Sequence, residues 1–392
     1  MKELLNKGMS RRSFLVASAL TSIAGLAGCS SSSDSGSSGS SDASSSSEDA
    51  TLKICIVTTS GIDDGSFNED CYEGIQNFIA DGHDDCTVTD VKEEDYNELV
   101  PTVEGLVGDY DVFVLPGYNF ATIGETAEAN PDVYFIVVDS TITDSDGNDM
   151  SCDNVYTLCY AEEQAGFFAG IAAAMETTSN KVAVVNGIAY PSNVNYQYGF
   201  MSGVNYANKY YDTSAEIVEI DSYAGTDVNG DNVGGNYIGD FADESTGKVV
   251  GEALIAEGCD ILFVAAGSSG NGVFTAAKEA DGVYVIGVDV DQYDDGENGD
   301  SNIVLTSVLK IMDEYVEIVL DSIYDGTFEG ADVTLTMTDD PAGVGYVSEE
   351  GRQQLSDETL AALEEVYELE ADGTIVPAAN FNGYTPDDFP GL

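Results

Sequence analysis

A short polar loop near the start of the folded part of the chain offers the side chains best suited to hold a small molecule. Residues 61–68 follow the apolar run 54–57 and precede a stretch of helical periodicity. Within six residues the loop presents two carboxylates, a hydroxyl, an amide and a phenyl ring, namely Asp63, Asp64, Ser66, Asn68 and Phe67. A phosphate would be repelled by the two adjacent carboxylates, since no cation follows them. The loop therefore predicts a binding site for a polar molecule that carries a ring.

Five further apolar runs end directly in polar or glycine residues, as the first one does. These strand ends lie at 137–140, 186–187 with the loop to 200, 265–270, 287–292 and 305–310. Because the carboxyl ends of parallel strands meet at one edge of a sheet, we expect these residues to converge on one cleft.

Each residue singled out at these ends also has a plain structural interpretation. Asp139 and Asp289 could each cap the end of their own strand. Gly267 could form only a tight turn, and Lys310 could make a salt bridge on a helix face. Convergence on one cleft is the feature that favours a binding role for all four.

Apolar runs and helical patterns alternate along almost the whole chain after residue 51. The predicted strands are 52–58, 112–115, 133–138, 181–185, 216–220, 261–264, 283–288 and 303–306. The predicted helices are 69–80, 96–107, 162–175, 196–210, 246–257, 272–280 and 308–324. This alternation indicates an α/β fold with parallel sheets and crossover helices on both faces. Polar runs without periodicity at 141–154, 291–302 and 326–330 are the expected crossovers between two lobes.

The first 29 residues have the pattern of an export signal. Four basic residues precede an apolar stretch at 14–27, which is shorter than the roughly 20 residues of a membrane helix. The segment 10–15 resembles a twin-arginine signal, and 26–29 resembles a bacterial lipobox in which Cys29 is lipidated. An uncleaved anchor helix is the alternative. Residues 30–50 are almost entirely Ser, Gly, Asp, Ala and Glu, which predicts a flexible tether.

The charge of the chain disfavours several classes of partner. The formal net charge is −60. The basic residues after position 50 are Lys53, Lys92, Lys181, Lys209, Lys248, Lys278, Lys310 and Arg352. Such an acidic surface repels nucleic acid and anionic lipid headgroups, and it argues against polyphosphate ligands without a metal. For most of the acids, a solvated coat without a specific partner is the simplest interpretation.

Cysteine, histidine and the acid-rich loops give little support to catalysis. Six cysteines remain if Cys29 carries lipid, and they either pair or stay as buried thiols. The sequence has a single histidine, His83, which disfavours a zinc site and a Ser-His-Asp triad. Residues 227–231 have the oxygen spacing of a calcium loop without its glycine and glutamate, so a surface insertion is the favoured interpretation. We predict no enzyme activity, no cofactor and no bound metal.

Six motifs then occur in order along the chain. They are Asp-Asp-Gly-Ser-Phe-Asn at 63–68, Glu-Glu-Gln-Ala-Gly-Phe-Phe-Ala-Gly at 162–170, Tyr-Gly-Phe at 198–200, Ala-Gly at 266–267, Gly-Val-Asp-Val-Asp-Gln at 287–292 and Thr-Ser-Val-Leu-Lys at 306–310. The series resembles the motifs of the BMP family, the substrate-binding lipoproteins of ABC importers that include the purine nucleoside receptor A proteins. The resemblance extends from about residue 52 to residue 346.

The resemblance implies a periplasmic-binding-protein-like type I fold, in which crossover hinge segments join two Rossmann-like lobes with parallel sheets. The implied organisation is a signal peptide at 1–28, a lipidated tether at 29–50, an amino lobe at 51–155 plus 290–326, a carboxyl lobe at 156–289 plus 327–350 and a tail at 351–392. The implied protein is a monomer, lipid-anchored on the extracytoplasmic face of the cell membrane. It would close on a nucleoside, most readily a purine nucleoside, and deliver it to an ABC permease.

The resemblance also implies roles for individual residues. Phe67 and Phe200 would stack on the two faces of the base, and Asp139 would accept hydrogen bonds from its edge. The ribose hydroxyls would be held by Asp64, Asn68, Asp289 and Lys310. Gly267 would allow close backbone approach, and Ser66 completes the ligand-binding set. Stacking of a base on an aromatic ring contributes about 1 to 3 kcal/mol per base.

Three stretches depart from the expected family pattern, and other ligands and functions stay open. The stretches are an insertion around 226–237, a long acidic run at 291–300 and the tail after residue 349. Within the same fold, riboflavin, a deoxynucleoside or a sugar-like signal molecule could replace the nucleoside. A metal-dependent nucleoside hydrolase would need a chelating cluster, for which Asp291, Asp294, Asp295 and Glu297 come closest. A sensory or adhesive surface protein is the third option.

Overall fold

The computed structural model describes residues 51–392. The predicted export signal, the lipidated Cys29 and the tether lie outside the described residues. No helix within the described part is long and apolar enough to cross a membrane.

Strands and helices alternate along the described chain, as the sequence predicts. The strands are β1 (Lys53–Thr58), β2 (Thr87–Lys92), β3 (Val112–Pro116), β4 (Tyr134–Val138), β5 (Val155–Tyr160), β6 (Lys181–Asn186), β7 (Glu216–Ile217), β8 (Gly225–Thr226), β9 (Asn232–Gly234), β10 (Ile261–Ala265), β11 (Tyr284–Gly287), β12 (Glu297–Asn298), β13 (Ser301–Asn302), β14 (Val304–Ser307), β15 (Leu309–Lys310), β16 (Ala331–Leu335) and β17 (Val344–Gly345). The helices are α1 (Phe67–Ala80), α2 (Leu99–Leu106), α3 (Gly124–Ala129), α4 (Glu162–Glu176), α5 (Pro191–Tyr210), α6 (Glu244–Ala256), α7 (Ser268–Lys278), α8 (Met312–Tyr324) and α9 (Asp357–Ala371). Short 3-10 turns lie at Tyr118–Ile123, Asp221–Tyr223 and Asp294–Gly296.

The first sheet has parallel strands in the order β16-β5-β4-β3-β1-β2. Alternate residues of β1 enter two different apolar clusters. Ile54 and Ile56 belong to the cluster that contains the inner face of α1, whereas Cys55 and Val57 belong to the cluster that contains α2. Because helices cover both faces, the middle of this strand, residues 54–57, is apolar and does not alternate with polar residues.

The second sheet is also parallel, in the order β14-β11-β10-β6-β7. Its central strand β10 is buried along its whole length. Helices α6 and α7 pack on one face, and α4 and α5 cover the other. The pairing of α4 with α5 depends on glycines: a Cβ atom on Gly170 would lie 2.1 Å from the carbonyl oxygen of Phe200. The predicted α/β class with parallel sheets is confirmed.

Three crossovers join the two sheets. The chain leaves the first sheet after β5, where α4 begins and packs against α5. It leaves the second sheet after β14, and α8 then packs against α1. The chain next adds β16 to the edge of the first sheet, beside β5. The last crossover follows β16, where β17 pairs with β15 in an antiparallel ladder.

These crossovers differ from the predicted lobe boundaries. The polar run 141–154 connects β4 to β5 within the first lobe. Strand β14 belongs to the second sheet, although the sequence assigns 290–326 to the amino lobe. Strand β16 belongs to the first sheet, although the sequence assigns 327–350 to the carboxyl lobe. The cause is that β5 and β16 carry polar residues within short strands, so no apolar run marks them.

The C-terminal segment is part of the packed structure, although the sequence predicts only a tail. Helix α9 packs against α4, and the apolar cluster of the core includes Leu363, Val366, Ile375 and Phe389. The Phe389 ring meets the Phe167 ring edge-on, with centroids 5.8 Å apart. The segment therefore covers the outer side of the α4–α5 pair.

The cysteines of the described part are free thiols, and four of them are buried. Of the two alternatives left open by the sequence, the structure has unpaired thiols. The insertion at 226–237 forms the β8–β9 hairpin, in which the Asp227 carboxylate accepts hydrogen bonds from the backbone N–H groups of Asn229 and Asp231.

Candidate functional site

A cleft lies between the carboxyl ends of the two sheets, and it measures about 650 Å³ when the open solvent at its edge is included. Most of the predicted site residues line it, namely Asp64, Phe67, Asn68, Asp139, Gly267, Asp289 and Lys310. The strand ends therefore converge as expected, and the roles of these side chains toward a ligand stay predictions.

Lys310 lies at the centre of the polar part of the cleft and is only 2% exposed. Its Nζ atom lies 2.8 and 2.7 Å from the two carboxylate oxygens of Asp139, and 3.2 Å from Glu162 Oε1. The ammonium group also lies over the rings of Phe67 and Tyr196, at 5.3 and 5.4 Å from their centroids. A buried cation with two carboxylates and aromatic faces around it is paired well enough to stay charged.

Burial and charge act on these groups in opposite directions. Burial disfavours the ammonium form of Lys310, but the facing carboxylates, first that of Asp139, hold its pKa well above the ordinary value. Burial raises the pKa of Glu162 to about 8, although Lys310 and a hydrogen bond from Asn195 work against that rise. Lys310 is therefore cationic at neutral pH, and burial makes Glu162 easier to protonate than an exposed glutamate.

Asp139 and Asp289 both adopt backbone conformations that L-residues rarely take, with φ of 63° and 65°. Asp139 follows directly on β4 in the first lobe, and Asp289 is separated by one residue from the end of β11 in the second. Non-glycine residues with such φ values are strained and concentrate at functional sites. Both aspartates line the cleft, so the strain coincides with the candidate site.

Asp64 has a structural role as well as a place in the cleft wall. Its carboxylate accepts hydrogen bonds from the backbone N–H groups of Ser66, Asn68 and Glu69, at 3.2, 3.1 and 3.0 Å. The side-chain amide of Asn68 donates to Asp64 Oδ2 at 2.8 Å and to Ser60 Oγ at 2.7 Å. These contacts satisfy the first N–H groups of α1, and they fix the loop that presents Phe67.

Ser66 does not line the cleft but joins the two lobes behind it. Its hydroxyl donates to Asp289 Oδ2 at 2.7 Å, and Tyr196 Oη donates to Asp289 Oδ1 at 3.4 Å. Burial raises the pKa of Asp289, while Lys310 and the Ser66 hydroxyl lower it. The expected place of Ser66 in the ligand-binding set is therefore corrected to a bridge between the lobes.

Phe200 lies in the core and not in the cleft, which corrects its expected stacking role. It is fully buried and stacks on Phe263, with centroids 5.7 Å apart and an interplanar angle of 18°. The physical reason is its position in the middle of α5, which begins at Pro191 and packs its inner face on the second sheet. An aromatic residue on that face fills the core and cannot contact a ligand.

Phe241 is the second-lobe phenylalanine that lines the cleft, with Phe67 on the first lobe. The Tyr190 ring lies 5.9 Å from Phe241 and 5.1 Å from Tyr118, so an aromatic wall extends from one lobe to the other. The Gly267 backbone has φ of 51°, and a Cβ atom there would lie 3.3 Å from the carbonyl oxygen of Phe241. Gly267 thus leaves room for the segment that carries Phe241.

Sequence reasoning also missed the polar contacts that join the two lobes beside the aromatic wall. Tyr190 Oη donates to Asn119 Oδ1 at 2.5 Å, from the second lobe to the first. Tyr96 Oη donates to Asp240 Oδ1 at 3.3 Å and accepts from the Phe241 backbone N–H at 3.4 Å. The available signal was weak, because Tyr190 and Phe241 follow irregular loops and not the apolar run of a strand.

Arg352 pairs with two acids of the loop 291–297, which a metal-dependent hydrolase would use to bind its metal. Arg352 Nε lies 2.5 Å from Asp291 Oδ2, and Arg352 Nη2 lies 3.1 Å from Asp294 Oδ2. Among the described residues, no group of three or more histidine, cysteine, aspartate or glutamate side chains is arranged to hold a metal ion.

The chain matches the model of one protein family and is similar in sequence to two further proteins. The sequence model of the Bmp family, described as PnrA-like ABC transporter substrate-binding proteins, matches residues 51–375. The CD4+ T-cell-stimulating antigen of Listeria monocytogenes is 30% identical over 349 residues, which cover 84% of this chain and 88% of that protein. The ABC transporter nucleoside-binding protein BmpA of Lactococcus lactis is 29% identical over 303 residues, which cover 72% of this chain and 78% of that protein.

The solved structures agree on the fold. A crystal structure of ABC transporter solute-binding proteins from Aeropyrum pernix superposes with a TM-score of 0.71 at 20% sequence identity. The superposition covers 85% of this chain and 95% of that chain.

Proposed function

Because the chain belongs to the Bmp family of PnrA-like ABC transporter substrate-binding proteins, we propose that it captures a nucleoside, and most readily a purine nucleoside, between its two lobes. The observation that carries the proposal is the cleft itself. Two phenylalanines, Phe67 and Phe241, line it from opposite lobes, beside the buried group of Lys310 and Asp139. A flat heterocycle with a polyhydroxylated sugar matches that division into aromatic and polar parts.

The charge around the cleft supports a neutral ligand. The carboxylates of Asp64, Asp139 and Asp289 all line it, and Lys310 is the cation among them. Carboxylates accept hydrogen bonds from sugar hydroxyls but repel phosphate. A nucleoside therefore fits this cleft better than a nucleotide. The assignment of Asp64, Asn68, Asp289 and Lys310 to the ribose, and of Asp139 to the base edge, is part of the proposal.

We assign the second stacking surface to Phe241 in place of Phe200. Phe241 lines the cleft and contacts Tyr190, whereas Phe200 is enclosed by the core. In this proposal the base lies between Phe67 and Phe241, and closure of the lobes brings the two rings onto its faces.

Closure of the two lobes is the proposed capture mechanism. Hydrogen bonds that join opposite lobes, from Ser66 to Asp289 and from Tyr190 to Asn119, support it. These contacts join residues of opposite lobes, so they form together only when the lobes are close. Opening would break them and release the ligand to its partner.

The wider setting is proposed from the sequence and the family. The predicted export signal and lipidated Cys29 would hold the folded body on the extracytoplasmic face of the membrane, as a monomer. An ABC permease in the same membrane would accept the nucleoside, and no chemical conversion would take place.

A ligand screen on residues 51–392 tests the proposal. We would follow thermal unfolding with adenosine, guanosine, inosine, pyrimidine nucleosides, riboflavin, free bases and simple sugars. A ligand at 100 times its Kd adds about 2.7 kcal/mol to the free energy of unfolding. We expect Tm to rise with purine nucleosides and with no other class. A rise with riboflavin or a sugar alone would overturn the nucleoside assignment, and release of free base from a bound nucleoside would contradict transport without turnover.

A further inference from the structure

A continuous series of polar contacts runs from the C-terminal segment to the cleft lysine. The backbone N–H of Asn380 donates to Asn195 Oδ1 at 3.1 Å, and Asn195 Nδ2 donates to Glu162 Oε2 at 3.1 Å. The other carboxylate oxygen of Glu162 lies 3.2 Å from Lys310 Nζ. Lys310 then binds both oxygens of Asp139, which lines the cleft. Residues 372–392, here called the C-terminal segment, are therefore connected to the cleft.

The orientation of the Asn195 amide follows from this series. A backbone N–H can only donate, so the side-chain atom that faces Asn380 must be the oxygen. The NH₂ group of Asn195 consequently faces Glu162, which must accept. Asn195 is 5% exposed and Glu162 is 2% exposed, so water does not compete for either group. Asn380 thus selects the orientation of Asn195 that favours a charged Glu162.

Glu162 is the group through which this contact acts on the cleft. It is the first residue of α4 and pairs directly with Lys310. The other titratable groups around it are Asp139 across the cleft, Glu163 next to it on α4, Tyr196 on α5 and Cys159 at the end of β5. Burial and the surrounding acids oppose the ionised form of Glu162. Lys310 and the Asn195 amide are the partners that favour it.

The C-terminal segment is held in place by contacts that do not involve the cleft. Asn205 Nδ2 donates to the Pro386 carbonyl oxygen at 2.8 Å and to Asp387 Oδ1 at 3.0 Å. Tyr210 Oη donates to the Gly391 carbonyl oxygen at 2.9 Å. Asn205 lies on α5 like Asn195 and contacts the same segment, but its two bonds end there. The chain thus offers a matched control for Asn195.

We propose that Asn195 is a positioning residue of the binding cleft, oriented by the C-terminal segment and acting through Glu162 on Lys310. This inference rests on the proposed function only where it concerns the ligand. Asn380 lies beyond the residues that the family model matches, 51–375. The C-terminal segment then contributes to the binding site, in addition to covering the apolar surface of the α4–α5 pair.

A titration without ligand tests the coupling between Asn195 and Glu162. The carboxyl signals of protein labelled with ¹³C at glutamate would be followed by NMR against pH in the wild type, Asn195→Ala and Asn205→Ala. Glu162→Gln identifies the Glu162 signal. We expect the Glu162 transition to move to higher pH in Asn195→Ala, because the charged form loses a hydrogen-bond donor. Asn205→Ala should leave the transition in place. An unchanged transition in Asn195→Ala would overturn the proposal.

A pair of substitutions at the exposed Asn380 provides a milder test, which does not remove a buried side chain. Asn380→Pro lacks the N–H that orients Asn195, whereas Asn380→Ala keeps it. We expect the Glu162 transition to move in the same direction as in Asn195→Ala for the proline variant alone. Equal transitions in the proline and alanine variants would show that the C-terminal segment does not orient Asn195.

Calorimetry of adenosine and inosine binding tests whether Asn195 affects the affinity of the cleft for its ligand. We expect Kd to rise about tenfold in Asn195→Ala, since Lys310 loses a fixed partner, and to stay within about twofold of wild type in Asn205→Ala. Equal losses in both variants would mean that the segment acts only through general packing, which contradicts the proposal. If the wild type binds neither nucleoside, the proposed function fails, and the titration alone decides the role of Asn195.

Discussion

Phe67 and Phe241 give the cleft one aromatic residue from each lobe. Phe67 follows the loop after β1 and also contacts the Lys310 ammonium, with its ring centroid 5.3 Å away. Phe241 precedes α6 and is held beside Tyr190. Both rings are partly exposed in the described structure, so a flat ligand has access to them. Phe200 has no such access, because it is enclosed between α4, α5 and the second sheet.

Replacing the two cleft rings should weaken ligand binding and leave the fold intact. We expect Phe67→Ala and Phe241→Ala each to lose about 1 to 3 kcal/mol of binding free energy, which is roughly a 5- to 150-fold rise in Kd. Calorimetry with the ligand found by the screen measures the loss. The control is Phe200→Leu, which should lower the free energy of unfolding by about 1 to 2 kcal/mol with Kd unchanged. A larger rise in Kd for Phe200→Leu than for Phe241→Ala would return the stacking role to Phe200.

The site residues that sequence could predict are those that directly follow strands. Asp139 and Asp289 each end an apolar run, and parallel sheets must bring such ends together. Phe241 follows a glycine-rich loop with no periodic pattern, so nothing in its neighbourhood marked it. Glu162 and Asn195 do not line the cleft, and their link to Lys310 was missed because it depends on contacts between different elements. Spacing along one element does not reveal such contacts.

At the scale of elements, acidic side chains lie where each end of α9 meets α4. At its first turn, Thr359 Oγ1 donates to Glu176 Oε1 at 2.5 Å. At its last turn, Glu370 is buried close enough to Glu163 of α4 to feel its charge, and both Glu370 oxygens and Glu163 Oε2 have no hydrogen-bond partner within the described structure. A buried carboxyl without a hydrogen-bond partner favours its protonated form, and a second acid nearby favours that form further.

This carboxyl pair should make the docking of α9 sensitive to pH. Burial raises the pKa of Glu163 to about 7, and burial together with the Glu163 charge raises that of Glu370 well above its ordinary value. A carboxyl whose pKa is higher in the folded state stabilises the fold fully below its unfolded pKa, near 4.3. That contribution is lost as pH rises through the folded pKa. We therefore expect Glu370→Gln to be more stable than wild type above pH 7 and similar to it near pH 4.

Thermal unfolding from pH 4 to pH 9 measures this difference, and hydrogen exchange in residues 357–371 locates it. Glu368→Gln is the matched control, because Glu368 lies on the same helix with its side chain exposed. Parallel curves of stability against pH for wild type and Glu370→Gln would contradict this, because they would show that the pKa of Glu370 is the same in the folded and unfolded states.

Strands with long apolar runs could be predicted from the sequence, whereas the strand at the edge of the first sheet could not. The buried strands β3 and β10 were located to within a residue or two, because both faces are covered and their sequences are apolar throughout. Strand β16 lies at the edge of its sheet and reads Ala-Asp-Val-Thr-Leu, with its polar residues exposed. Its place is decided by pairing with β5, which local sequence does not encode.

At the scale of the whole molecule, negative charge is the dominant property. The formal net charge is −60, with 72 acidic and 12 basic residues in the chain. Few cations lie on the surface of the described part, and Lys310 is used inside the cleft. Arg352 and Lys248 are among the few surface cations held by two acids each. Repulsion between the remaining exposed carboxylates therefore opposes folding, and the fold is expected to depend on screening by salt.

Raising the salt concentration should therefore stabilise the folded body. Between about 0.02 M and 0.5 M NaCl the Debye length falls from roughly 20 Å to roughly 4 Å, which removes most repulsion between exposed charges. We expect Tm of residues 51–392 to rise by on the order of 5 °C over that range, at pH 7 and without ligand. A triple variant, Asp84→Asn, Asp132→Asn and Asp281→Asn, neutralises three exposed acids. It should begin with a higher Tm at low salt and gain less from added salt, because less repulsion is left to screen. A Tm that falls as salt is added would mean that attraction between ion pairs outweighs repulsion, in spite of the net charge.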